Sequence, residues 1–263
     1  IGARAKNASL YLSQTNIKKR NDVLKKFAQY LKININSILN ENKKDLSRLK
    51  SKKIKDSMIN RLKLDKIKIL QIIKSIEKIT KFNDPLGKIL SSWKRPNGLK
   101  IKKISIPLGV IGVIYESRPN VTSDVAALCF KSGNAVILRG GSEAFYSNKI
   151  FVKLFKQALR NKRCNENCVQ FIEKKNRRYV DYLLSNMKNY VDIIIPRGGK
   201  NLVKKVQQKS TVPIIGHLEG ICHVYVDSHS NLDMAIKVVK NSKMRNVGIC
   251  GAAETLLIDK KCL

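Results

Sequence analysis

The chain of 263 residues is long enough for one or two domains with a buried core. Its 43% hydrophobic and 27% charged residues are ordinary globular usage, which excludes collagen-like and low-complexity classes. Lysine and arginine total 53 against 19 aspartates and glutamates, a formal charge of +34 that attracts polyanions at long range.

Residues 2 to 81 place apolar side chains at helical spacing, such as Val23, Leu24, Phe27, Tyr30 and Leu31, then Ile67, Leu70, Ile73 and Ile76, in a lysine-rich background. That periodicity predicts amphipathic helices. Asp84-Pro85-Leu86-Gly87 breaks the pattern. Pro96-Asn97-Gly98 then lies between segments in which Leu99, Ile101 and Ile104 alternate unevenly with lysine, which predicts a small hairpin. From residue 107 the pattern becomes strand, turn and helix in repetition. Strands are expected over Val110–Tyr115, Asn134–Leu138, Cys168–Ile172, Val191–Ile195 and Val212–Ile215. Helices are expected over Ser123–Lys131, Phe145–Arg160, Arg177–Lys188 and Asn201–Gln208. Apolar runs alternating with helices imply parallel strands covered on both faces, an α/β architecture of the nucleotide-binding kind.

Three strand ends carry chemically useful turns: Glu116-Ser117-Arg118-Pro119-Asn120, Arg139-Gly140-Gly141-Ser142 and Pro196-Arg197-Gly198-Gly199. Open α/β sheets bind ligands beyond the carboxyl ends of their strands, where glycines let the backbone approach and helix N-termini favour anions. The turns therefore point to a phosphate-rich ligand. Neither G-x-G-x-x-G nor G-x-x-x-x-G-K-[ST] occurs, so a dinucleotide would have to be held without the usual fingerprint. Arg139 before paired glycines can grip a phosphate or ribose, and its other reading is a surface arginine. Arg118 and Arg197 carry the same two readings, and the recurrence of arginine at strand ends favours anion binding.

Cys250 sits among small residues in Asn246-Val247-Gly248-Ile249-Cys250-Gly251-Ala252-Ala253-Glu254, ahead of the strand-like Thr255–Ile258. A thiol in such a loop is open to a substrate carbon, and a small buried filler is the equal alternative. His217 and Glu219 follow the expected strand Val212–Ile215, as a base or as its solvated end. His217, His223 and His229 recur every six residues, but no cysteine or carboxylate completes a zinc pattern, so no metal is expected. Trp93 reads as a packing residue.

The basic residues are spread widely, with no basic-aromatic repeat, zinc-finger spacing or RNP-type sequence, and read mainly as solvated surface. Nucleic-acid binding therefore ranks last among the functional readings. Apolar runs such as Val191-Asp192-Ile193-Ile194-Ile195 are far shorter than a bilayer requires, and no basic-then-apolar leader opens the chain. Cys129, Cys164, Cys168, Cys222, Cys250 and Cys262 are too sparse for a secreted disulfide scaffold and read as cytoplasmic thiols. The chain opens on Ile1 and closes at Leu263 directly after a strand-like stretch, so a fragment is expected.

Two long segments, Ile106-Pro107-Leu108-Gly109-Val110-Ile111-Gly112-Val113-Ile114-Tyr115-Glu116-Ser117-Arg118-Pro119-Asn120-Val121-Thr122 and Gly133-Asn134-Ala135-Val136-Ile137-Leu138-Arg139-Gly140-Gly141, closely resemble the gamma-glutamyl phosphate reductase family. Ile194-Ile195-Pro196-Arg197-Gly198-Gly199, Gly220-Ile221-Cys222-His223-Val224-Tyr225-Val226-Asp227 and Cys250-Gly251-Ala252-Ala253-Glu254-Thr255-Leu256-Leu257 are similar to it in the same order. That family belongs to the aldehyde dehydrogenase superfamily and serves proline biosynthesis. The resemblance implies an aldehyde-dehydrogenase-like α/β fold and NADPH-dependent reduction of L-glutamate 5-phosphate to the semialdehyde. It implies a cofactor domain over residues 1–91 and 105–219, an oligomerisation hairpin over 92–104 and the start of a catalytic domain over 220–263. A homo-oligomer is implied for the complete protein, and the fragment alone is expected to be inactive.

By motif position the resemblance makes Cys250 the nucleophile and Asn120 an oxyanion donor, with Ser117 as the alternative donor. Cofactor contacts are implied for Tyr115, Glu116, Ser117, Arg139, Gly140, Gly141, Ser142, Arg197, Gly198 and Gly199. Substrate contacts are implied for Arg118, His217 and Glu219. Ser142 stands where many NAD-preferring superfamily members carry a carboxylate, which favours NADPH. His217 stands where hydrolytic members carry a water-activating glutamate, which favours reduction over hydrolysis. Another acyl-phosphate or aldehyde dehydrogenase of the same superfamily is the alternative enzyme.

Overall fold

The computed structural model describes residues 1–50, 56–116, 118–174, 176–216, 220–247 and 249–262. The chain divides into two compact units, Ile1–Gly216 and His217–Leu263. Among the described residues no helix is long and apolar enough to cross a membrane.

The first unit opens with helices α1 (Gly2–Ser13), α2 (Ile17–Ile33), α3 (Ile35–Lys50), α4 (Asp56–Leu62) and α5 (Lys66–Lys81). Side-chain caps start two of them, Asn16 Oδ1 accepting from Lys19 N at 2.9 Å and Asp65 Oδ1 from Lys68 N at 2.7 Å. Each cap satisfies a backbone amide that has no partner within the helix. The α2 stripe behaves as its spacing predicts, with Val23, Leu24, Phe27 and Leu31 buried. In α5 Ile73 and Ile76 are buried as expected, but Ile67 and Leu70 are exposed: the face that packs is Ile69, Ile72, Ile73, Ile76 and Ile79, because the isoleucines at 69 and 72 set the i, i+3, i+4, i+7 pattern turned toward the core. Arg20 is buried among them. Its guanidinium donates to the Lys131 carbonyl and to Thr15 O at 3.0 Å, and pairs with Asp84 at 2.7 Å. The Asp84-Pro85 break is thus also the counter-charge of a core arginine.

The hairpin pairs β1 (Ile89–Lys94) with β2 (Lys100–Ile104) in antiparallel register. Gly98, with φ of +88°, makes the turn that a side chain would strain. Trp93 faces Ile101 across the hairpin yet is 46% exposed, which corrects its reading as a packing residue. A two-stranded ribbon has no covering layer of its own.

The sheet follows as β3 (Val110–Tyr115), α6 (Pro119–Lys131), β4 (Ala135–Gly140), α7 (Phe145–Asn161), β5 (Val169–Phe171), α8 (Arg178–Ser185), β6 (Ile193–Arg197) and α9 (Lys200–Lys209). Its strands run parallel in the order β5-β4-β3-β6. Both faces are covered, so β3 and β4 are buried at every position. Ile111, Val113 and Tyr115 point into the core shared with α2, α5, α6 and α7, and Val110 and Ile114 into the core shared with α8 and α9. Phe27 and Phe155 meet at 4.5 Å between ring centroids, locking α2 onto α7.

Boundaries differ from expectation where side chains intervene. α6 begins at Pro119 rather than Ser123, since proline suits a first helical position. β4 runs on through Arg139 and Gly140, which pair with Ile114 and Tyr115 of β3. Val212–Ile215 is not a strand: a single bridge joins Ile214 to Ile194, because Pro213 has no amide to extend a ladder.

Asp192 fixes the start of β3. Its Oδ2 accepts from Val110 N at 2.7 Å, its carboxylate binds Lys6 Nζ at 2.7 and 3.0 Å, and its amide donates to Val110 O at 2.9 Å. Gly109, with φ of +118°, leaves the space this carboxylate occupies.

The second unit pairs β7 (Cys222–Val226) with β8 (Ala253–Ile258) in parallel across α10 (Leu232–Met244). Asn231 Oδ1 caps α10 by accepting from Met234 N at 3.0 Å, but no residue of α10 is buried.

Asp192→Ala should lower the unfolding free energy of the first unit by about 2 kcal/mol, the scale of a lost charged hydrogen bond. Lys6→Ala, which removes only a half-exposed ion pair, should cost under about 1 kcal/mol. Urea denaturation followed by tryptophan-independent circular dichroism checks the ranking, and a larger loss for Lys6→Ala contradicts it.

Candidate functional site

β3 has β4 on one side and β6 on the other, so the chain reverses direction of growth at β3 and opens a crevice beyond the strand ends. A cavity of about 310 Å³ lies there. Ile114, Tyr115, Glu116, Arg139, Gly141, Ser142 and Glu143 form its strand-end wall, and Arg177, Val180, Asn201, Leu202 and Lys205 its helical wall. Of the residues expected to hold a cofactor, Tyr115, Glu116, Arg139, Gly141 and Ser142 meet around it. Gly140, Arg197, Gly198 and Gly199 do not line it.

Strand parity decides the role of each side chain. Tyr115 lies on the α6 and α7 side, 1% exposed, with its hydroxyl 2.6 Å from Thr122 Oγ1. Thr122 gives its proton to Asn148 Oδ1 at 2.8 Å, so the tyrosine is the donor to Thr122. Burial pushes the Tyr115 hydroxyl pKa up. Its hydroxyl is thus held within the core beneath the crevice, while the residue still contributes to the cavity wall. Arg139 shares the face of Ala135 and Ile137, is 7% exposed, and donates to the Gly140 carbonyl. Burial lowers its pKa, and the Glu143 carboxylate acts in the other direction.

The glycines make room for the protein's own side chains. A Cβ on Gly140 would strike the Asn148 amide and the Tyr115 ring, and one on Gly141 would strike the Glu143 carboxylate. A Cβ on Gly198 would lie 2.6 Å from Glu116 Oε2 and 2.7 Å from Leu202 Cδ2. Glu116 Oε2 accepts from Gly199 N at 2.9 Å, where α9 begins. A carboxylate of the chain therefore takes the helix N-terminus that the sequence offers to a phosphate. Glu143, which strand-end reading passed over, is the carboxylate beside Arg139, one residue after the Ser142 position.

Arg118, next to α6, is brought near Arg197 and near Arg61 of α4: burial, then Arg61, then Arg197 lower its pKa. Arg61 had no sequence signal, since it lies in a lysine-rich helical segment far from the strand ends. Asn120 donates its amide to Asp124 Oδ2 at 3.2 Å within the first turn of α6. Ser117, His217 and Glu219 lie outside the described residues.

In the second unit Cys250 is exposed, in a turn between α10 and β8 closed by Ala252 N donating to Ile249 O at 3.1 Å. Cys222 Sγ donates to the Cys250 carbonyl at 3.3 Å. Cys129, Cys164 and Cys168 are buried, and burial pushes the Cys129 and Cys168 thiols up to about 12. Cys250 is thus the most accessible of the thiols, with Cys222 and Cys262 half-buried. Among the described residues no group of three or more His, Cys, Asp or Glu side chains could hold a metal ion. A larger, mostly apolar cavity of about 720 Å³ in the first unit lies against Ile1, Tyr179, Tyr182 and Tyr190.

The sequence pattern of the Aldehyde dehydrogenase family matches residues 1–263. The chain belongs to that family. It is 42% identical over 263 residues to the gamma-glutamyl phosphate reductase of Bartonella tribocorum, covering 100% of this chain and 64% of that one. It is 45% identical over 262 residues to the gamma-glutamyl phosphate reductase of Paramagnetospirillum magneticum, covering 100% and 62%. The crystal structure of gamma-glutamyl phosphate reductase from Thermotoga maritima superposes with a TM-score of 0.93 at 36% identity, over 99% of this chain and 63% of that one. The fold alone extends to a probable aldehyde dehydrogenase from Listeria monocytogenes EGD-e, with a TM-score of 0.65 at 17% identity, over 98% and 54%. The chain thus spans a little under two thirds of the length of these curated relatives.

In this aldehyde dehydrogenase family member, Gly198→Ala should destabilise by about 1–3 kcal/mol through overpacking. Part of that cost should vanish in a Glu116→Ala background, because the carboxylate is one of the two groups displaced and Leu202 is the other. A thermal-denaturation double-mutant cycle with no coupling would contradict the assignment.

Proposed function

We propose that the chain carries the cofactor pocket and nucleophile of an NADPH-dependent reductase acting on L-glutamate 5-phosphate. The products are L-glutamate 5-semialdehyde and phosphate, in cytoplasmic proline biosynthesis. The observation that carries this reading is Cys250, the exposed thiol in the turn ahead of β8, in a chain similar throughout to gamma-glutamyl phosphate reductases.

The crevice suits a nicotinamide dinucleotide. Val180 and Leu202 offer an apolar wall to a base, while Arg139, Arg177, Lys205 and Asn201 supply donors for ribose and phosphate. Bound there, the dinucleotide supplies a hydride. An engineered glycolyl-CoA reductase with bound NADP+ shares the fold with a TM-score of 0.66 at 18% identity. For NADPH, the basic side chains outnumber Glu116 and Glu143 along the cavity, and Arg139 offsets the nearer carboxylate.

The chain's own chemistry centres on sulfur. The Cys250 thiolate attacks the acyl-phosphate carbon, a C–S bond forms, and the C–O bond to phosphate breaks to give a thioester. The Cys250 amide and the Asn120 side chain are the proposed donors to the oxygen that gains charge. After reduction, Cys250 leaves as thiolate and the aldehyde is released. Arg118, with Arg61 and Arg197 near it, is proposed to hold the substrate's anionic group. His217 and Glu219 are proposed substrate contacts, and a histidine in place of the water-activating glutamate spares the thioester from hydrolysis. The exposed Trp93 supports an oligomerising role for the β1–β2 hairpin.

The test uses this chain joined to the segment by which its relatives extend beyond it, assayed for NADPH oxidation with freshly generated L-glutamate 5-phosphate. Turnover is expected, and Cys250→Ser should abolish it while leaving NADPH binding intact. Preference for another acyl phosphate or a free aldehyde would favour the other dehydrogenases of the family.

Arg139→Ala should weaken NADPH about tenfold or more and NADH less, as loss of a charge-assisted phosphate contact requires. Glu143→Gln should strengthen NADPH relative to NADH. Fluorescence titration reads both, and equal changes for the two cofactors would remove the NADPH assignment.

A further inference from the structure

Cys222 is the first residue of β7 and is half-buried, whereas Cys250 is exposed. The parallel register sets Cys222 opposite Ala253, just beyond the Cys250 turn, and slips between Cys222 and His223. Cys222 Sγ consequently reaches the Cys250 backbone, 3.3 Å from its carbonyl oxygen. Gly220 permits that approach, since a Cβ there would lie 2.6 Å from the same oxygen and 3.8 Å from the Cys222 sulfur. Gly251 has open space beside its Cα, so the turn carrying Cys250 has room to adjust.

We propose that Cys222 is a resolving thiol for Cys250, and that a hydroperoxide drives the pair into an intramolecular disulfide. The Cys250 thiolate attacks the peroxide, an S–O bond forms, the O–O bond breaks, and hydroxide leaves to be protonated. The sulfur loses two electrons to the peroxide and becomes a sulfenic acid. The Cys222 thiolate then attacks that sulfur, the S–S bond forms, and the S–O bond breaks. The departing hydroxide takes up the proton that Cys222 gave up, so two thiols and one hydrogen peroxide yield one disulfide and two waters.

The bond protects as well as silences. A sulfenic acid left alone proceeds irreversibly to sulfinic and sulfonic acids, whereas a disulfide is recovered by a dithiol. No other cysteine is placed for this within the unit. Cys262 Sγ donates to the Asp227 carbonyl at 3.5 Å, beyond the opposite end of β7. The pairing rests on the contact between the two cysteines and stands whether or not the reductase reading does.

The 263-residue chain is treated with hydrogen peroxide under native conditions, its free thiols are alkylated, and it is digested with trypsin without reduction. Lys237, Lys240, Lys243 and Arg245 lie between the two cysteines, so cleavage separates them. A linked Cys222 and Cys250 peptide pair is expected, lost on dithiothreitol treatment with return of Cys250 to alkylation. Cys222→Ser should carry several-fold more sulfinic and sulfonic Cys250 than the wild type, and Cys262→Ser should match the wild type. Equal over-oxidation of Cys250 with and without Cys222 would overturn the proposal. So would linkage to Cys262 or to a second chain, or no linked pair in the wild type, a readout independent of how any variant folds.

Discussion

The first unit depends on how β6 is pinned to β3. Val110 and Asp192 exchange backbone and side-chain hydrogen bonds at the start of the pair, with Lys6 of α1 bound to the same carboxylate. That clamp places β6 on the side of β3 away from β4, so the strand ends diverge over a crevice instead of being filled by the next strand. The strand-end wall of the cavity takes its positions from the two pairings of β3, with β4 and with β6. Arg139 is set by its register opposite Ile114, and Glu116 by Arg197, whose carbonyl accepts the Glu116 amide at 3.2 Å.

Within the crevice, electrostatic positions that appear free in a topology diagram are already used. The N-terminus of α9 is occupied by Glu116, and the turn after β4 by Glu143 beside the buried Arg139. A bound dinucleotide would meet fixed carboxylates rather than bare helix ends. Its phosphates would then depend on side-chain cations more than on helix dipoles. The missing glycine fingerprint follows the same physics: the glycines present accommodate side chains of the protein, not close approach of a pyrophosphate.

The second unit rests on different physics. β7, α10 and β8 form one parallel crossover, and a single crossover cannot cover both faces of its own strands. Ile236 and Val238 of α10 and Leu256, Leu257 and Ile258 of β8 accordingly remain substantially exposed. Local hydrogen bonds, rather than a packed core, hold Cys250. These are the turn bond from Ala252 and the contact from Cys222.

The sequence by itself determined the alternation of strands and helices, the span of β3, the amphipathic stripe of α2, and the likeness to a reductase family. Each is written in local periodicity or in a contiguous motif. It also marked Cys250, because small neighbours in a loop are a local signal. The β3–β4 register, which sets Arg139 opposite Ile114 and Gly140 opposite Tyr115, puts Tyr115 and Arg139 on opposite faces, and strands buried at every position carry no alternation that would reveal it. Tertiary structure alone decided the occupancy of the crevice. Glu116 meets Gly199 across 83 positions and Asp192 meets Val110 across 82, and no local pattern encodes such partners. The same holds for Arg61 near Arg118, and for the exposure of Trp93, which depends on whether another layer covers the hairpin. Backbone periodicity is a property of neighbours in the chain, whereas the charge and shape of a site belong to residues that only folding brings together.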